Sequence, residues 1–121
     1  MSRLQALHIG IVGACGRGST FATALGQRSE QVCVQAVCDT NTGALASSGE
    51  LFGASATYTD YEDMLEAGSL DAVMIATPMH LHAPQSIMAL EADLHVLCEV
   101  TPAVSIEECR QLVVAARRAR G

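Results

Sequence analysis

The chain is 121 residues long and half of it is apolar, which is one domain's worth and enough to bury a core. A net charge of −6 argues against nucleic acid as a partner, and no apolar run approaches the ~20 residues that a membrane-crossing helix needs. Five cysteines with no C-x-x-C pair exclude a disulfide framework and a zinc knuckle; with no leader-like opening either, a reducing, cytoplasmic setting is expected.

The first apolar run, Leu7 to Val12, breaks into Gly13-Ala14-Cys15-Gly16-Arg17-Gly18 and then into a helical pattern. This order of strand, glycine turn and helix start suits a pyrophosphate. Glycines permit φ > 0 and close backbone approach, and the first helical N–H groups face the turn. Cys15 stands where G-x-G-x-x-G has its second glycine, so its Cβ is expected in the approach path, with Gly16 taking over the close contact. The helix is predicted from Ser19 to Gln27, burying Phe21, Ala22 and Leu25. A second strand, Val32 to Cys38, ends in Asp39, about twenty residues past the last glycine, where a dinucleotide site places the acid that accepts from a ribose diol.

Asn41 and its threonine neighbours can cap a helix that stops near Gly53, followed by a short edge strand, Ala56 to Tyr58. Thr59-x-x-Glu62 reads as a capping box for a helix with Tyr61, Met64 and Leu65 inward, ended by Gly68. Ala72 to Ala76 is a continuous apolar run, as a central parallel strand requires, and it carries Thr77-Pro78 at its end. Pro84 fits the first turn of a helix closing at Asp93, and the fifth strand, His95 to Cys98, ends in Glu99. Ser105-x-x-Glu108 opens a last helix whose inward stripe is predicted as Ile106, Cys109, Leu112, Val113 and Ala116. The four arginines from Arg110 to Arg120 complement its dipole rather than form a docking patch.

Strands alternating with helices predict an α/β fold: a doubly wound parallel sheet of order 3-2-1-4-5, in three layers α/β/α. Ligands then sit beyond the carboxyl ends of the strands. That rule gathers Gly13, Cys15, Gly16, Arg17, Gly18, Asp39, Thr77, Pro78, His82 and Glu99 as candidate cofactor-binding residues in one pocket. His80-x-His82 has no third ligand at a fitting spacing, so no metal is expected, and His82 is open between a site residue and a satisfied histidine at a helix start. A redox role for Cys15 is weighed against a small side chain tolerated in the turn, and the second is preferred.

In these residues the chain resembles the N-terminal half of the glucose–fructose oxidoreductase / inositol dehydrogenase (Gfo/Idh/MocA) family. The matching elements are Gly13 to Gly18, Val37-Cys38-Asp39, Tyr61 to Leu65, Thr77-Pro78-x-x-x-His82, and Val96-Leu97-Cys98-Glu99 followed by Pro102. The resemblance implies a Rossmann domain over residues 1–121, holding NAD(P) for hydride transfer with sugars, inositols and related polyols. It departs in two ways. The family's Glu-Lys-Pro is here Glu99-Val100-Thr101-Pro102, and the chain contains no lysine anywhere. The family's substrate domain, with the aspartate and histidine used in proton transfer, would begin about where this chain stops.

The expected cofactor is NAD rather than NADP, because Asp39 would repel a 2′-phosphate and Thr40-Asn41 offers no arginine to neutralise one. The expected function is that of the NAD-binding part of an oxidoreductase, inactive alone; the alternative is a non-catalytic nucleotide-binding or sensor module that has lost the lysine. No catalytic residue is assigned. An unpaired fifth strand predicts self-association into a homo-oligomer.

Overall fold

A computed structural model describes residues 5–27 and 30–121; the opening four residues, on which the absence of a leader was partly read, lie outside it. Five strands form one sheet: β1 (Leu7–Val12), β2 (Val32–Cys38), β3 (Ala56–Tyr58), β4 (Ala72–Ile75) and β5 (His95–Cys98). The order is β3-β2-β1-β4-β5 and every pairing is parallel, as expected of the doubly wound arrangement. In a strand, successive side chains point to opposite faces, so neighbours in β1 serve different cores. Ile9 and Ile11 pack with Val34, Val37, Leu45 and Met74, while Val12 packs with Val73, Ile75, Met64 and Ala89.

Helices cover both faces. The first face carries α1 (Ala22–Gly26) and α2 (Thr42–Phe52), and the second carries α3 (Tyr61–Glu66) and α4 (His82–Glu91). Ile11, Val37 and Val73, central in the sheet, have no exposure at all. Burying a side chain of that size contributes about 1.5–3 kcal/mol. The cap residues carry the stops and starts: Asn41 Oδ1 accepts from Ala44 N–H at 3.2 Å, and Gly53 closes α2 at φ 64°. Asp93, at φ 58°, ends the α4 region where the sequence placed the close.

Three local expectations are corrected. The first helix is not a single α-helix from Ser19 to Gln27 but a 3₁₀ turn, Arg17–Phe21, followed by the five-residue α1. Ser19 and Thr20 donate their hydroxyls to Gly16 O and Arg17 O at 2.8 Å, and these i−3 bonds tighten the turn. The cap of α3 is Asp60, whose carboxylate accepts from Asp63 N–H at 3.1 Å, not Thr59; an acid one residue on is the stronger acceptor.

The third correction concerns α5 (Ile106–Arg118). Its capping group is present: Ser105 Oγ accepts from Glu108 N–H at 3.1 Å, and the Glu108 carboxylate accepts from Val104 N–H at 2.9 Å. The predicted inward stripe, however, is open. Ile106 is 73% exposed, Cys109, Val113 and Ala116 are exposed, and only Leu112 is half-buried. The helix leans on α4 mainly through Ala115, between clefts of about 570 and 390 Å³. Sequence periodicity registers that a helix has an apolar face; it does not register whether these residues supply anything to cover it. Among the described residues nothing covers this face.

Candidate functional site

The carboxyl ends of β1, β2 and β4 open on a groove of about 490 Å³. Gly13 turns the chain out of β1 at φ 80°, in the left-handed region, and its N–H donates to Cys38 O at 2.9 Å. A Cβ at Gly13 would come to 2.6 Å from the Ala76 backbone, so only glycine lets the turn lie this close to β4. Gly18 has the other packing role: a Cβ there would meet Gly13 O at 2.7 Å. Gly16 faces open space, with nothing within 4 Å of its ideal Cβ, and lines the groove.

At the far end of the groove stands Asp39. Its Oδ2 accepts from Cys15 N–H and its Oδ1 from Asn41 N–H, both at 2.9 Å. Each carboxylate oxygen has a second lone pair, so a ribose diol can still be held. Asp39 is thus both the turn's anchor and the groove's one anion among the described residues that line it. Behind it, burial above all and the Asp39 charge push the Cys38 thiol up to about 12.

Of the ten candidates, the structure brings Gly13, Gly16, Arg17, Asp39, Thr77 and Pro78 to this groove. Cys15, Gly18, His82 and Glu99 do not line it. Cys15 turns its side chain back, against the core that holds Ile11 and Leu45, with Sγ 4.0 Å from Asn41 O. The expectation that its Cβ blocks the pyrophosphate is therefore corrected: a side chain at this point of the turn is directed behind the loop. Burial and the neighbouring Asp39 charge push the Cys15 thiol up, which opposes a reactive thiolate.

His82 is 1% exposed. Its Nε2 lies 2.7 Å from Thr77 O and its Nδ1 2.7 Å from Thr101 O, so the ring ties the end of β4 to the segment after β5. Both ring nitrogens therefore face carbonyl oxygens, and the ring is buried rather than turned to the groove. Among the described residues no group of three or more His, Cys, Asp and Glu could hold a metal ion. Glu99 stands on the rim, where Arg17 Nε donates to its Oε2 at 2.5 Å. That hydrogen bond holds the Glu99 carboxyl below its ordinary value.

Sequence reasoning did not assign Thr40, Thr59, Tyr61 or Gln85 to the site, yet all four line the groove. Thr77 Oγ1 donates to Gln85 Oε1 at 2.6 Å, and Tyr61 OH donates to Gln85 O at 2.8 Å, so the β4 end of the groove is a connected polar wall. Thr40 and Thr59 could have been found from their places just past strand ends. Gln85, in the first turn of α4, carried no such signal.

Among the described residues, no helix is long and apolar enough to cross a membrane. Residues 7–121 match the family described as "Oxidoreductase family, NAD-binding Rossmann fold", GFO_IDH_MocA. A glycosyl hydrolase family 109 protein of Shewanella woodyi is 32% identical over 96% of this chain and 27% of its own length. Inositol 2-dehydrogenase of Corynebacterium glutamicum is 32% identical over 78% of this chain and 28% of its own length. The WlbA dehydrogenase of Bordetella pertussis, solved in complex with NADH and UDP-GlcNAcA, superposes with a TM-score of 0.85 at 33% identity, covering 93% of this chain and 34% of that one. The chain thus spans about a quarter of the length of these curated relatives. Sequence, sheet order and glycine turn agree: the chain belongs to the Gfo/Idh/MocA oxidoreductase family and is an NAD-binding Rossmann domain.

Proposed function

We propose that the chain is the cofactor-holding part of an oxidoreductase that passes hydride between NAD and a sugar-like or polyol substrate supplied by a further domain. The observation that carries this is the groove itself, with the glycine turn packed against β4 in its middle and the Asp39 carboxylate at one end. The residues fit the cofactor: Gly13 and Gly16 leave room for a pyrophosphate, Arg17 supplies a positive charge, and Asp39 accepts from the adenosine ribose. When bound, the nicotinamide supplies the hydride chemistry; this chain's residues bind and orient it.

Sugar-type substrates are supported by the relatives' names, which include inositol 2-dehydrogenase, D-glucoside 3-dehydrogenase and glycosyl hydrolase. Those names differ in the net reaction. Hydride transfer is preferred for this chain because its matched family is one of oxidoreductases. Proton transfer has few candidates here: the chain has no lysine, Val100 follows Glu99, and the His82 ring is occupied. The isolated domain is therefore inactive in our reading. Five free thiols fit a reducing, cytoplasmic setting.

Calorimetric titration of the chain with NAD and NADP tests the reading. NAD should bind, and NADP should bind at least tenfold more weakly, since Asp39 would face its 2′-phosphate. Equal or tighter NADP binding removes Asp39 as the discriminating group. No binding of either cofactor removes the functional assignment.

A further inference from the structure

An ion pair joins Arg17, which lines the groove, to Glu99, which does not. Arg17 lies at the start of the 3₁₀ turn that follows β1, while Glu99 ends β5, two strands away across β4. With neighbouring strands about 4.8 Å apart, the bridge spans about 10 Å of the sheet's carboxyl edge, over Thr77 at the end of β4. Arg17 is the only cation among the described residues lining the groove. The sequence has no lysine to take its place.

The geometry points to a strap: before the cofactor arrives Glu99 holds the groove's Arg17 towards the end of β5, outside the groove's lining, and binding moves the Arg17 guanidinium from Glu99 to the cofactor's pyrophosphate. This rests on the NAD-binding reading and deepens it, because it assigns the entry step to two named side chains. Three features make the exchange feasible. The Arg17 side chain is 62% exposed, so it can swing without disturbing the core. Its guanidinium carbon lies 5.9 Å from the Phe21 ring centroid, which gives the arm a surface to pivot on. A solvent-screened pair of this kind contributes little, whereas a pyrophosphate offers two negative charges and a planar fork matches its oxygens. A glutamate carboxyl is anionic at neutral pH in any case, so the two anions, Glu99 and the pyrophosphate, compete for one cation.

The test is a double-mutant cycle on the whole chain, read by NAD affinity in calorimetry, with thermal unfolding recorded for each variant to show that it is folded. Glu99→Gln should tighten NAD binding roughly two- to fivefold, because the arginine is released. Arg17→Ala should weaken it about tenfold. The double variant should bind like Arg17→Ala, because Glu99 acts only by holding Arg17. Adenosine, which has no phosphate, should bind equally to all four proteins.

Loss of affinity in Glu99→Gln would overturn the strap, since Glu99 would then be positioning Arg17 for the bound cofactor. An equal gain from Glu99→Gln with and without Arg17 would overturn it too, since Glu99 would act by its own charge. In both cases NAD still binds and the functional reading stands. A wild-type chain that binds no NAD ends both.

Discussion

The Cys15 N–H donates to Asp39 Oδ2 at 2.9 Å, across 24 residues of sequence. The glycine turn and the strand-end acid are therefore one mechanical unit: the group expected to read the ribose also holds the loop expected to receive the pyrophosphate. Asp39→Ala should destabilise the chain by about 1–3 kcal/mol, through the unpaired N–H groups of Cys15 and Asn41. It should also narrow the preference for NAD over NADP. Urea unfolding and calorimetry measure the two effects separately. Cys15→Gly, by contrast, keeps the N–H and should leave NAD affinity within about twofold, in keeping with a side chain directed away from the groove.

The glycines of the turn should separate in the same way. Gly13→Ala forces a side chain into φ 80° and to 2.6 Å from the Ala76 backbone, and should cost at least about 2 kcal/mol. Gly16→Ala meets nothing within 4 Å and should leave stability within about 0.5 kcal/mol, yet weaken NAD binding where the cofactor approaches. Equal stability losses in the two variants would contradict this division of roles.

His82 and His80 offer a second contrast. His82→Leu removes a ring that lies between the Thr77 and Thr101 carbonyls in a site that is 1% exposed, and should lower stability by about 1–3 kcal/mol in thermal or urea unfolding. The exposed His80→Ala should change it by less than about 0.5 kcal/mol.

The open face at β5 and α5 should make the isolated chain self-associate. Leu97 on the edge strand β5 is 63% exposed, Val100, Val104 and Ile106 in the segment that follows are exposed too, and among the described residues no strand pairs with the free edge of β5. Light scattering should show a dimer or larger species, and Leu97→Glu with Ile106→Glu should shift it towards monomer. A wild-type chain that stays monomeric at high concentration would remove the edge argument.

Much of this molecule was legible before folding because the relevant physics is local. The apolar runs, the turn at Gly13, the cap at Asn41 and the acid after β2 each declare themselves within a few residues, and right-handed crossovers then order the sheet. Tertiary structure decided what depends on direction and on partners. Cys15 and Gly16 are adjacent, yet one side chain packs half-buried against a core cluster and the other position faces the groove, because a tight turn rotates successive Cα–Cβ bonds apart. The place of His82 was set only when Thr101, 19 residues on, was brought to its ring. The stripe on α5 is apolar by sequence and exposed by structure, since burial belongs to a pair of surfaces and these residues supply only one. Arg17 and Glu99 meet across 82 residues for the same reason: charge is written in the chain, but the partner is chosen by the sheet.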